Sequence, residues 1–431
     1  MQFRDLKKQY EVLKQDIDEA MLSVASQSHY IMGPQVKELE QELAAYTGVK
    51  HCLTCANGTD ALTLALKAWA IGPGDAVFVP DFTFFSSAEV VALEGATPVF
   101  VDVDEATFNI DAESLEAAIQ AVLADGGLTP RVIIAVDLFG LPANYPLIKA
   151  VAKKYNLLIL EDGAQGFGGT ITPHSTLLTP HSTLHTPHST LHTPHSTLHT
   201  PHSTLHTPHS TLHTPHSTLH TPHSSKSCSF GDISTTSFFP AKPLGCYGDG
   251  GAVFTDNDEW AALMASYRVH GKGTDKYDNV RIGMNSRLDT MQAAILQVKL
   301  RAFDNEVERV NEAARHYTQL LKEHVATPVI PEGFRSSWAQ YTIRLTNEAQ
   351  RNHVQQALKD AGIPSMIYYP KTMHQQTAFA NFNIPLDRKK LARQECPTAA
   401  RLSQTVLSLP MHPYLEPSEI ENICHQLIAS L

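Results

Sequence analysis

The sequence predicts an α/β protein with a mostly parallel central sheet and a smaller α+β domain at its C-terminal end. Three observations predict it. Uninterrupted apolar runs at 76–79, 99–101, 132–136 and 157–160 alternate with helical segments. Runs of this kind suit strands covered on both faces, and helical crossovers between them imply parallel pairing of one hand. From about Phe303 the texture changes to a long helical stretch, a strand at 341–345 and further helices. The expected organisation is therefore a large domain over 1–302 and a small one over 303–431.

The first elements are helical. Tyr10, Leu13, Ile17 and Met21 recur at spacings of three and four, one face of a helix. A second helix begins near Gln35, with Val36, Leu39 and Leu43 on its apolar face. The chain has 431 residues, enough for two or three domains with a large core. Its formal net charge of −11 disfavours generic nucleic-acid binding, which needs basic surface. It leaves room for a small anionic substrate held by a few cations. No apolar run approaches 18 residues, and the N-terminus is mixed in charge, so neither a membrane helix nor a signal peptide is expected. The expected location is the cytoplasm. The six cysteines fit buried thiols better than a disulfide framework, and a lone Cys52-x-x-Cys55 pair is weak evidence for a metal.

One segment departs from this pattern. From Thr172 the chain runs through seven heptads of the form Thr-Pro-His-Ser-Thr-Leu-His, the first ending in Leu178 instead of His, and closes with a partial unit at Ser224. A proline in every unit forbids a continuous helix, and so few apolar residues cannot bury a core. The tract holds 14 of the 23 histidines. It reads as an inserted loop rather than a metal site, and the 378 residues left without it form an uninterrupted enzyme-sized chain.

Four blocks carry candidate chemistry. In Ser237-Phe238-Phe239-Pro240-Ala241-Lys242-Pro243-Leu244-Gly245, a lysine lies between an apolar strand end and a glycine-rich turn. Burial there would lower its pKa and free a nucleophilic amine, although a turn lysine can equally be solvated. In Glu161-Asp162-Gly163-Ala164-Gln165, a carboxylate ends a buried strand, where α/β proteins bind ligands. Asp162 is the candidate, since Glu161 points to the opposite side; an N-cap is the plainer alternative. Gly58-Thr59-Asp60 opens a helix whose amides suit a phosphate, or is simply a capped helix. Phe84 follows the strand at 76–79 and could stack on a planar ring, whereas Phe82 and Phe85 fit the core.

Taken together these blocks resemble the DegT/StrS-type sugar aminotransferases, which have the type I (aspartate aminotransferase-like) fold and depend on pyridoxal 5′-phosphate. Gly283-Met284-Asn285-Ser286-Arg287-Leu288-Asp289 and Leu407-Ser408-Leu409-Pro410-Met411-His412-Pro413-Tyr414-Leu415 add to the likeness. The resemblance implies that Lys242 attaches covalently to the cofactor and moves a proton during turnover. It puts Asp162 at the pyridine nitrogen, Gln165 near the ring hydroxyl and Phe84 on the ring face. Gly58, Thr59 and Ser237 would hold the phosphate. Asn285 would reach the neighbouring subunit's cofactor, implying a homodimer with shared sites. Arg287 is a candidate for a substrate carboxylate, or for an ion pair with Asp289, and Tyr368 and Tyr369 are further substrate candidates.

The implied reaction moves an amino group from a donor such as L-glutamate to a nucleotide-linked keto-sugar. The resemblance is nearest to enzymes that aminate C3 of a UDP-2-acetamido-3-keto-hexuronic acid, for surface polysaccharide precursors such as lipopolysaccharide O-antigen. Those enzymes often carry His-Tyr-Pro where this chain has Tyr368-Tyr369-Pro370, so C4 amination of a UDP- or dTDP-4-keto-6-deoxy sugar stays open. A dehydratase would lack Lys242, and a non-catalytic regulator would lack the set Lys242, Asp162 and Gln165.

Overall fold

A computed structural model describes residues 1–172, 224–275, 277–380 and 395–431. The repeat between Thr172 and Ser224 lies outside these residues. Two helices lead the chain, α1 (Leu6–Gln27) and α2 (Pro34–Thr47). Val36, Leu39 and Leu43 are all buried on α2, as their spacing requires. Strands and helices then alternate: β1 (His51–Cys55), α3 (Gly58–Ala68), β2 (Asp75–Pro80), α4 (Ser86–Leu93), β3 (Thr97–Val101), α5 (Ala112–Asp125), β4 (Thr129–Val136), α6 (Tyr145–Tyr155) and β5 (Leu158–Asp162). Two short strands, β6 (Thr170–Ile171) and β7 (Ser225–Lys226), precede β8 (Ile233–Ser237), β9 (Gly251–Thr255) and α7 (Asp258–Tyr267).

Helix α8 (Thr290–Leu321) follows, and Phe303, where the sequence texture changes, lies inside it. The chain ends with β10 (Phe334–Arg335), β11 (Tyr341–Arg344), α9 (Glu348–Asp360), α10 (Thr377–Ala380), α11 (Pro397–Thr405), β12 (Val406–Leu409) and α12 (Pro417–Ala429). The strand expected at 341–345 is β11, paired antiparallel with β12. Among the described residues no helix is long and apolar enough to cross a membrane.

Seven of the described strands form the central sheet, in the order β1-β9-β8-β5-β4-β2-β3. Only β9 runs against its neighbours, so β1 points the same way as the parallel strands. The uninterrupted apolar runs have the predicted cause. Val77, Val79, Ile134 and Leu160 pack on one face with Leu62 and Leu66 of α3, while Phe78, Ile133, Ala135 and Ile159 pack on the other with Ile119 of α5 and Ile148 of α6. The C-terminal ends of β1, β2, β5 and β8 thus share one edge. The next residues along the chain are the candidate blocks.

The ends of the repeat are fixed to each other. β6 and β7 pair antiparallel, Thr170 with Lys226 and Ile171 with Ser225, and β10 extends that ribbon from its other side. A short turn can therefore replace the insert. Loop-closure entropy grows by only about 0.6 kcal/mol per doubling of length, so shortening this loop roughly tenfold should stabilise the fold by about 2 kcal/mol at most. Deleting 172–224 is expected to leave the circular dichroism spectrum unchanged and the thermal midpoint equal or higher, with or without chelator. A variant that fails to fold, or a full-length protein that chelator destabilises, would show that the repeat is structural.

Candidate active site

The loop after β8 presents Lys242. It is closed at its base by Phe238 N–H to Gly250 O (2.7 Å) and Cys246 N–H to Phe238 O (2.8 Å), and Lys242 N–H donates to Phe239 O (2.8 Å). The lysine amine lies 6.0 Å from the centre of the Phe84 ring. Burial lowers its pKa; the nearby charge of Asp162 opposes that shift and the charge of Arg4 adds to it. An amine in this setting is nucleophilic at a lower pH than a solvated lysine.

Asp162 ends β5 and is 5% exposed. Its carboxylate accepts from Ser87 Oγ (2.7 Å) and from the Ala164 amide (3.2 Å). Burial raises its pKa, and these two donors and Lys242 act in the opposite direction. No helix starts here, so the N-cap alternative does not apply. Glu161 faces away from this cluster, as the strand period requires. It accepts from the amides of Cys228 (2.5 Å) and Phe230 (2.7 Å) and from Ser227 and Ser234 Oγ (3.0 and 2.8 Å). One carboxylate is fully engaged by the fold, and the other faces the lysine.

Around this pair the structure gathers more of the expected residues. Phe84 is 52% exposed, unlike Phe82, which is buried, and Phe85, which packs against the core. Gln165 is buried; its Oε1 accepts from the Phe139 amide (2.8 Å) and its Nε2 donates to Tyr369 Oη (3.0 Å). The Tyr369 ring lies 6.2 Å from Phe84, and Tyr368 lies 6.2 Å from Phe3. Gln165 and Tyr369 are thus one hydrogen-bonded unit beside Phe84.

Gly58 and Thr59 open α3, where the Asn57 side chain accepts from the Asp60 amide (2.8 Å). That cap satisfies one of the first-turn amides and leaves those of Gly58 and Thr59 directed out of the helix. Ser237 lies against this turn: a Cβ on Gly58 would sit 2.7 Å from Ser237 Cβ, and one on Gly251 would sit 2.5 Å from Asn57 O. The close approach of three backbones explains why glycine stands at both positions. Two outward amides, the hydroxyls of Thr59 and Ser237 and a positive helix end meet in one corner, a setting that suits an anion.

Asn285 and Arg287 lie elsewhere. They line an open cavity of about 470 Å³ with Ala56, Gly248, Asp249 and Asp289, and none of Lys242, Asp162, Phe84 or Gln165 is in that wall. Arg287 donates to Asn285 Oδ1 (2.5 Å). Sequence reasoning missed Ser87, the side chain that holds Asp162. Its signal was faint: a serine three residues after Phe84, itself bonded to Thr83 (3.2 Å), in a run read for its aromatic residues.

Known proteins resemble this chain over nearly its whole length. The model of the DegT/DnrJ/EryC1/StrS aminotransferase family matches residues 11–176 and 213–428. The chain is 38% identical over 430 residues to the UDP-2-acetamido-2-deoxy-3-oxo-D-glucuronate aminotransferase of Pseudomonas aeruginosa, covering 99% of each. It is 36% identical over 425 residues to the UDP-N-acetyl-3-dehydro-alpha-D-glucosamine 3-aminotransferase of Acidithiobacillus ferrooxidans, covering 97% of this chain and 95% of that one. The crystal structure of a DegT DnrJ EryC1 StrS aminotransferase from Brucella abortus superposes with a TM-score of 0.83 at 42% identity, over 99% of this chain and 98% of that one.

The burial of Asp162 has a consequence for stability. A carboxyl whose folded pKa is raised keeps its proton more tightly in the native state than in the unfolded chain, so its penalty grows as pH rises above the unfolded value. Asp162→Asn removes that penalty. The cofactor-free variant should melt above the wild type at pH 8, and the gap should close as pH falls toward about 4. A variant melting below the wild type at every pH would mean that Asp162 is a net stabilising group.

Proposed function

We propose, since the chain belongs to the DegT/DnrJ/EryC1/StrS aminotransferase family, that it aminates C3 of a UDP-linked 2-acetamido-3-keto-hexuronic acid, with an amino acid such as L-glutamate as donor. The chain is an aminotransferase and its cofactor is pyridoxal 5′-phosphate. The observation that carries the site assignment is the convergence of Lys242, Asp162 and Phe84 beside a corner that suits an anion. The substrate class rests on the near-full-length likeness to two enzymes whose names specify amination at C3.

The residues present fit the cofactor. An amine for its aldehyde, a buried carboxylate for its ring nitrogen, an exposed aromatic face and a corner with two outward amides match its four chemical features. When bound, pyridoxal phosphate supplies a ring that withdraws electrons from the carbon attached to the amine. The protein's part is then local. Asp162, kept in place by Ser87 and the Ala164 amide, would hold a proton at the ring nitrogen by its charge. Phe84 would cover one face of the ring and exclude water from it. Gln165, tethered to Phe139 and Tyr369, would sit near the ring hydroxyl. Gly58, Thr59 and Ser237 would take the phosphate. Lys242 would carry a proton on Nζ, which its lowered pKa allows.

The enzyme would work as a homodimer with shared sites in the cytoplasm, supplying precursors for surface polysaccharide such as O-antigen. Supporting this, Tyr30, Ile31, Val280 and Ile282 are exposed, Ile282 to 91%, and Asn285 and Arg287 line the open cavity that also includes Ile31. Arg287, with Tyr368 and Tyr369, would contact the substrate; a guanidinium matches a uronate carboxylate bidentately.

Lys242→Ala should lower turnover by several orders of magnitude, measured against a panel of UDP- and dTDP-linked 3-keto and 4-keto sugars with glutamate as donor. Wild-type preference for a 4-keto-6-deoxy sugar would overturn the C3 reading, and unimpaired turnover in the variant would overturn the lysine's role. A mixture of Lys242→Ala and Arg287→Ala proteins should regain part of the wild-type rate, because a mixed dimer holds one intact site. No recovery after demonstrated subunit exchange would rule out shared sites.

A further inference from the structure

Two cations, Lys299 buried and Arg4 half-buried, converge on the backbone that carries Lys242. Arg4 Nη2 donates to Lys242 O (2.8 Å) and to Pro243 O (3.3 Å). Lys299, on α8 and only 2% exposed, donates from Nζ to Gly245 O (2.7 Å) and lies 4.4 Å from the centre of the Tyr247 ring. Three carbonyls within four residues are thus bound by charged donors from two elements remote in sequence. Charge-assisted hydrogen bonds of this kind are shorter and about twice as strong as neutral ones.

We infer that Arg4 and Lys299 are positioning residues that fix the segment 242–245, and through it the amine of Lys242. The inference rests on the reading of Lys242 as the cofactor-binding lysine. The cations are themselves held. Glu306, two turns after Lys299 on α8, accepts from Gln9 Nε2 (3.0 and 2.9 Å) and Tyr414 Oη (2.5 Å) and is the shared counter-charge for both. The N-terminal segment is tied down beside Arg4: Phe3 O accepts from the Met411 amide (3.1 Å), and the Asp5 side chain caps α1 through the Lys8 amide (2.8 Å). Phe3 also packs edge-on against Tyr368, so adjacent residues of one short segment touch the lysine loop and a substrate candidate.

Burying two cations is unfavourable in itself, and both show it: burial pulls the Arg4 guanidinium down to about 10 and the Lys299 amine to about 8, with Glu306 opposing each shift. A charge taken out of water needs hydrogen-bond partners, and each of these cations finds its partner in carbonyls of the lysine segment. Arg4 acts in a second way. Its charge disfavours protonation of Lys242, against the opposite influence of Asp162, and these two are the charged groups that face that amine. Arg4 thereby both places the amine and keeps it less basic.

The test uses full-length Arg4→Met, Arg4→Lys, Lys299→Met and Lys299→Arg proteins, with thermal melts to confirm folding. In cofactor-free protein, the pH dependence of trinitrophenylation at Lys242, read by peptide mass spectrometry, gives the amine's own midpoint. In loaded protein, the near-visible band of lysine-bound cofactor is titrated and kcat and KM for glutamate are measured. Arg4→Met should raise both midpoints by about half to one pH unit and lower kcat about tenfold with KM within about twofold. Arg4→Lys should restore the midpoints, because the charge remains. Lys299→Met should lower kcat similarly, and Lys299→Arg should recover part of it. If Lys299→Met does not fold, Arg4→Met decides alone. Midpoints and kcat unchanged in Arg4→Met would overturn the inference. A wild type with no lysine-bound cofactor band would instead overturn the reading of Lys242.

Discussion

The site depends on one constraint: the buried carboxyl of Asp162 and the half-buried amine of Lys242 share one cleft. Burial moves each pKa toward the uncharged form, and the charge of each favours the charged form of the other. In water a lysine would remain a hydrated cation, and an aspartate would have no reason to bind a pyridinium. Burial would suit both to the proposed chemistry, and the rest of the architecture keeps them in position. The parallel sheet supplies the rigid edge, with β5 ending in Asp162 and β8 in Ser237, five residues before Lys242. Ser87 and the Ala164 amide hold the carboxylate; Arg4 and Lys299 bind the carbonyls of the lysine segment.

Helix α8 links several of these devices. At its start, the hydroxyl of Thr290 accepts from the Gly33 amide (3.0 Å), joining it to the turn before α2. Farther along it carries Lys299 and Glu306, and beyond them Tyr317, whose hydroxyl donates to Pro410 O (3.0 Å). The segment entering it carries Asn285 and Arg287. One rigid element therefore reaches from the open cavity past the lysine loop to the C-terminal strands. This explains how changes of sequence texture near Phe303 can occur within a continuous helix: the residues alter because their neighbours alter, while the backbone does not.

The parts legible in the sequence were those written in local pattern. The uninterrupted runs marked β2, β3, β4 and β5, and the strand period separated Asp162 from Glu161. Gly58-Thr59-Asp60 marked the opening of α3. What remained hidden was carried by contacts distant along the chain. Ser87 is 75 residues from Asp162, and Arg4 is 238 from Lys242. Lys299 sits in a helix of mixed charge, where a lysine reads as solvated; only its neighbours reveal it as buried. The pairing of Asp81 with His374, at 2.5 Å, is hidden likewise, since neither residue signals the other.

Lys242 is proposed to hold the cofactor under the influence of Asp162. Borohydride reduction of the loaded protein, followed by peptide mass spectrometry, tests it most directly. A single pyridoxyl phosphate adduct is expected, on the peptide containing Lys242. An adduct on another lysine, or none in a protein that has bound the cofactor, would contradict it.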